Sequence, residues 1–201
     1  ACASGERHQR KIYYRDNVYY NLYKKNQIQF PLKNIYNHDP IYGVSDASKA
    51  TTEVFREYLL DNAMRGTAFW ELYYSPSLFD EEKWEVTADV LDFAETNHNV
   101  LKNAKLFVQE GKNPSNGVYG YSAWNNKKGF ESFVNPTATK QTYELTLDNI
   151  VGVPTSMKGL KEYSIYPYAA GTTGKTGNIL HLCHPASGDD EAYQRSGAGD
   201  A

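Results

Sequence analysis

The residues best suited to chemistry stand in two short runs. The first is Asn37-His38-Asp39, three polar side chains in a row, closed by Pro40. Pro40 biases Asp39 toward extended backbone and has no N–H for a ladder, so the run should end a strand. A carboxylate at that point can accept hydrogen bonds from two ligand hydroxyls, with Asn37 and His38 supplying donors. The same residues would also make a plain loop in which Asp39 caps local backbone and His38 packs. Three polar groups meeting at one strand end favour the contact role. The second run is Trp70-Glu71, inside the aromatic stretch Thr67-Ala68-Phe69-Trp70-Glu71-Leu72-Tyr73-Tyr74. A carboxylate buried there without a partner would be costly. Arg65 is one candidate partner; alternatively, Glu71 faces a ligand and binds its hydroxyls. Asp39 and Glu71 formally suit an acid/base pair on neighbouring strands, but substrate positioning is the preferred role. The candidate substrate-binding set is therefore Asn37, His38, Asp39, Trp70 and Glu71.

Other constellations carry less. Arg15-Asp16 reads as a structural ion pair. His181-Leu182-Cys183-His184 has the residue types of a metal site without the spacing of a zinc finger, and reads as chance. No metal and no cofactor are expected. No glycine-rich phosphate loop opens a helix, and no Ser/His/Asp order stands out. Cys2 and Cys183 lie near opposite ends; spacing does not decide whether they pair, and two unrelated thiols are preferred.

Composition narrows the partners. The net charge is −3 over 201 residues, with both signs scattered. No long cationic run suggests nucleic acid or an anionic bilayer. No apolar stretch reaches the length of a membrane span. Ala1 to His8 lacks the apolar core of a secretory signal, although a fragment and a mature form would look alike there. Aromatics make up 14% of the chain, with 17 tyrosines. Such rings suit both a Tyr-rich core and a site that meets the C–H faces and hydroxyl edges of sugars.

The elements that must hold these residues follow from periodicity and stop signals. Residues 10–23 read as a helix, and Ile28 to Tyr36 as an approach to a strand. A helix capped by Ser45 or Asp46, with Ala47, Ala50, Val54 and Tyr58 on one face, should run to Arg65-Gly66. The aromatic run 67–74 reads as a strand stopped by Ser75-Pro76-Ser77. Asp80 should cap the next helix, with Trp84, Thr87 or Ala88, Leu91 and Ala94 buried. Beyond the turn-rich segment 111–117 come strand signals at 118–124, 129–134, 141–147 and 162–168, the first two joined by a hairpin loop at 125–128. A strand–helix–strand–helix part thus precedes an all-β part, and the first pattern implies parallel strands. The segment 171–201 has little apolar content beyond Ile179-Leu180 and Leu182, and is expected to be mostly disordered.

Two stretches resemble a known family. Tyr36-Asn37-His38-Asp39-Pro40-Ile41-Tyr42-Gly43 and Arg65-Gly66-Thr67-Ala68-Phe69-Trp70-Glu71-Leu72-Tyr73 look like late barrel strands of endo-α-N-acetylgalactosaminidase-like glycoside hydrolases and their uncharacterised bacterial relatives. The run Tyr119-Gly120-Tyr121-Ser122-Ala123-Trp124, with Lys128-Gly129-Phe130 and Val134-Asn135-Pro136, resembles the start of their β-sandwich. The likeness covers about Arg7 to Tyr168. It implies an α/β plus all-β chain: the last strand-helix units of a (β/α)8-type barrel in 1–110, then a small antiparallel β-sandwich-like domain in 111–170 and a tail in 171–201. It also implies a carbohydrate partner, the remainder of the barrel in a longer chain, and a parent protein that is secreted or on the cell surface. The family's catalytic carboxylates lie on middle barrel strands, so neither transfers to a residue here. A non-catalytic carbohydrate-binding or structural β-module is the alternative.

Overall fold

The computed structural model describes residues 9–47, 50–137, 139–166 and 179–185. Helix α1 (Gln9–Tyr20) runs into a π-turn at Asn21–Lys25 and presents Asp16 and Tyr19 inward. A 3-10 turn at Leu32–Asn34 leads to the short strands β1 (Tyr36–Asn37) and β2 (Ile41–Tyr42). Where one helix is expected from 45 to 65, there are two, α2 (Val44–Ala47) and α3 (Thr52–Met64). The division follows the caps. Asp46 Oδ2 accepts from Gly43 N, while Thr51 takes the N-cap of α3 and accepts from Val54 N. Gly66 ends α3 at φ +64; a Cβ there would lie 2.1 Å from the Leu101 carbonyl oxygen, so glycine is required both for its conformation and for its lack of a side chain.

The expected aromatic strand is instead two short ones, β3 (Phe69–Trp70) and β4 (Tyr73–Tyr74). β1 pairs with β3, and β2 with β4, both in parallel, across α2 and α3. The expected parallel crossover is therefore present, as two separate two-stranded sheets that do not close.

Helix α4 (Glu81–Thr96) begins at Asp80, whose side chain accepts from Lys83 N, as its sequence predicts. Its buried stripe differs from the expected one. Val86, Thr87 and Val90 face the core, whereas Trp84 is 46% exposed and Leu91 also lies outside. The Lys83 stem lies along the buried side while its ammonium reaches Asp80, so a charged residue occupies a place that pattern reasoning gives to an apolar one. The short helix α5 (His98–Leu101) follows.

The remaining strands form one antiparallel sheet in the order β5-β6-β7-β9-β8. They are β5 (Lys105–Val108), β6 (Tyr119–Trp124), β7 (Gly129–Phe133), β8 (Leu160–Tyr166) and β9 (Ile179–Pro185). The β6–β7 hairpin is in the expected place, with Asn125 N donating to Lys128 O. β5 lies ahead of the 111–117 turn yet forms the sheet edge, so the sheet starts before the expected boundary. One face, with Leu106, Tyr119, Tyr121, Ala123 and Phe130, joins Phe55, Tyr58, Leu59 and Val90 in a single core that crosses that boundary. The other face carries a smaller cluster of Phe107, Trp124, Val151 and Val153.

Two expectations change here. Segment 141–147 alternates like a strand but has no ladder; Tyr143 instead stacks on Phe107 at 5.8 Å and 2°. Alternation places apolar side chains on one side, and a loop lying over a sheet face needs the same pattern. Within the expected disordered segment, Ile179–Pro185 forms β9, hydrogen-bonded between β7 and β8. Its apolar island is enough for a strand that two neighbours saturate. The rest of 171–201, and Cys2, lie outside the described residues.

Candidate functional site

The paired ends of β1 and β3 sort the expected residues into two groups by the period-2 rule of a strand. Tyr36 stands opposite Phe69, and Asn37 opposite Trp70. The first pair faces outward. Tyr36 and Phe69 are 48% and 53% exposed, and their rings stack at 5.0 Å and 10°. His38 meets Tyr36 edge-on at 4.6 Å, and Tyr73, 52% exposed, lies 6.1 Å from His38.

Glu71 stands among these rings. Its backbone N–H donates to Asn37 O at 3.1 Å, which fixes the residue just past the strand pair. Its Oε2 accepts from Tyr36 Oη at 2.5 Å and faces His38 Nδ1. The Tyr36 hydrogen bond is the main reason that the carboxyl is held below the usual carboxylate range; Tyr73 and His38 add to it against a desolvation that works the other way. The same bond pushes Tyr36 up to about 12. Glu71 is thus an ionised acceptor at neutral pH, not a proton donor. The expected Arg65 partner does not contact it; tyrosines and histidine replace that role.

The second group faces the core. Trp70 is half-buried against it. Asn37 donates to Asn62 Oδ1 at 2.6 Å. Asp39 is only 5% exposed, and its peptide bond to Pro40 is cis. It accepts from Arg15 Nε at 2.8 Å and from Tyr58 Oη at 2.7 Å, with Arg65 Nη1 3.7 Å away. The structure therefore brings His38 and Glu71 together at the surface and places Asn37 and Asp39 beneath, in an ion network.

That network centres on Arg65, which is fully buried. Its guanidinium grips Asp16 through Nε at 2.9 Å and Nη2 at 3.3 Å, donates to Asn62 Oδ1 at 3.2 Å, and lies 2.9 Å from Asp61 Oδ2. Tyr119 and Tyr121 donate to Asp16 at 2.7 and 2.5 Å. Burial, and then the Asp16 charge, push the Asp61 carboxyl well above its ordinary range, while Arg65 pulls it back. Arg15 and Arg65 together face Asp16, Asp39 and Asp61, so each buried acid has a guanidinium beside it.

A separate buried acid lies on the far side of the sheet. Glu131 Oε1 accepts from Ser122 Oγ at 2.8 Å and Trp124 Nε1 at 2.6 Å, while its Oε2 is buried without a partner. Glu131 is pushed up to about 8, by burial above all; the Ser122 and Trp124 bonds work against this, and Glu162 adds a little to it.

No family model, curated protein or solved structure matches the chain. Its chemistry is therefore read from the geometry. Among the described residues, no group of three or more His, Cys, Asp or Glu side chains could hold a metal ion. Sequence reasoning passed over Tyr36, Phe69 and Tyr73 as site residues. Their signal was present, as aromatics spaced so that an adjacent carboxylate falls between them. Arg65 and Tyr58 gave no such signal, because Asp16 and Asp39, which they contact, are distant in the chain.

Proposed function

We propose that the outward ends of β1 and β3, with Tyr36, His38, Phe69, Glu71 and Tyr73, form a carbohydrate-contact surface, and that the chain is part of a glycoside hydrolase acting on a polysaccharide or glycoprotein glycan. The supporting observation is an ionised carboxylate set among exposed rings at the end of paired parallel strands. Ring faces suit the C–H face of a pyranose, and Glu71 suits its hydroxyls. In this reading the chain supplies late barrel strands of the sugar site. Asn37 and Asp39 hold the strand ends from below, and the catalytic carboxylates come from other parts of a longer chain.

The low proton affinity of Glu71 argues against a general-acid role, since that role needs a raised pKa. The second reading is a non-catalytic carbohydrate-binding module. It draws on the same surface and differs in requiring no partner barrel. Isothermal titration with neutral oligosaccharides and an N-acetylgalactosamine-bearing glycopeptide, alongside an aryl-glycoside assay, tests the surface that both readings share. Binding without turnover is expected of the chain alone. Robust turnover would make Glu71 a catalytic candidate, and no binding to any glycan would end both readings.

A further inference from the structure

A groove of about 460 Å3 lies between the π-turn after α1 and the start of β5. Its volume falls in the range of small-molecule sites, about 300–1,000 Å3. None of the residues of the aromatic surface lines it. Four lysines do: Lys24, Lys33, Lys102 and Lys105, and no acidic residue is among its walls. Two of these cations are already engaged. Lys102 Nζ donates to Asn99 Oδ1 at 2.9 Å, and Lys105 Nζ to the carbonyls of Asn149 and Ile150 at 3.1 and 3.4 Å. Lys24 and Lys33 have no carboxylate partner among the described residues.

The walls between the cations are apolar. Leu32 and Leu106 are buried, while Ile28, Phe30 and Ile150 are exposed to solvent around them. Exposed side chains of this size, gathered in a concave site, mark a place where something apolar docks. A groove lined by cations and by no acidic residue favours an anion in it.

We propose that this groove binds a small amphipathic anion, an apolar chain ending in a carboxylate, with the head between Lys24 and Lys33 and the chain along Ile28, Phe30 and Ile150. Apolar contacts supply most of the affinity, and the lysines select the sign of the head group.

Titration calorimetry of the full chain with dodecanoate tests this, beside dodecyl phosphate, dodecyltrimethylammonium and inorganic phosphate. Dodecanoate should bind at least tenfold tighter than the cationic surfactant and than inorganic phosphate. The double variant Lys24→Gln/Lys33→Gln should weaken dodecanoate by tenfold or more; both lysines are exposed, so the fold is retained. Phe30→Ser, also at an exposed position, should weaken it independently. Equal binding of dodecanoate and the cationic surfactant would reduce the groove to a bare apolar patch and overturn the proposal. So would no dodecanoate binding, undiminished binding by the lysine variant, or tighter binding of dodecyl phosphate, which would reassign the head group.

Discussion

At the scale of single residues, Asp39 changes role between sequence and structure. Read from sequence, it is an open carboxylate at a strand end, and Asp39→Asn should leave stability nearly unchanged. In the fold it balances Arg15 and Arg65 from a buried position. Breaking a buried pair by removing one partner costs about 3–5 kcal/mol. For a chain of this size each kcal/mol moves the melting temperature by roughly 2–4 °C. Asp39→Asn should therefore lower Tm by on the order of 10 °C, measurable by thermal denaturation; an unchanged Tm would return Asp39 to the open-site role. Glu131 makes a different prediction. Its folded pKa lies above its unfolded value, so the native state holds more protons between the two. The associated stability is fully present below about pH 4.5 and is lost as pH rises through about 8. Glu131→Gln should flatten the decline in Tm between pH 5 and 8. A variant with the same slope as the parent would show that Glu131 is ionised throughout. The acid was legible in sequence as a residue in a strand, but its burial was not, because its partners Ser122 and Trp124 come from the neighbouring strand.

At the scale of elements, local signals were legible and distant ones were not. The Asp80 cap, the stop at Gly66 and the 125–128 hairpin each depend on residues within a few positions, and each stands where expected. β9 depends on β7 and β8 upstream, and the polar sequence on either side of its apolar island hid it. The α4 stripe was misplaced because Lys83 counts as polar in a pattern although its stem packs inward. Two element-scale outcomes follow. Gly66→Ala should destabilise by about 1–3 kcal/mol, from strain at positive φ and a clash with Leu101 O; a neutral effect in chemical denaturation would mean that the turn relaxes freely. Truncation after Tyr166 removes the strand between β7 and β8. Amides of β8 should then lose hydrogen-exchange protection, whereas retained protection would show that β8 docks without β9.

At the scale of the whole molecule, helices and sheet share one core, and the buried Arg65 network links α1, α3 and β6 across it. Asp16 joins residues more than a hundred positions apart, which is why the network could not be read from local pattern. It reaches the β1–β3 ends through Asn37, Asn62 and Asp39. The expected strand–helix–strand unit is represented here by two parallel strand pairs. The sugar role rests on what those pairs display. The measurement that tests it most directly is glycan titration of the parent chain beside Glu71→Gln and Phe69→Ala, both at surface positions. A charged-acceptor hydrogen bond is worth about 1.5–3 kcal/mol, so Glu71→Gln should weaken glycan binding by roughly tenfold or more, and Phe69→Ala should weaken it through lost ring contact, each with Tm preserved. Glycan affinity equal in all three proteins would contradict the account.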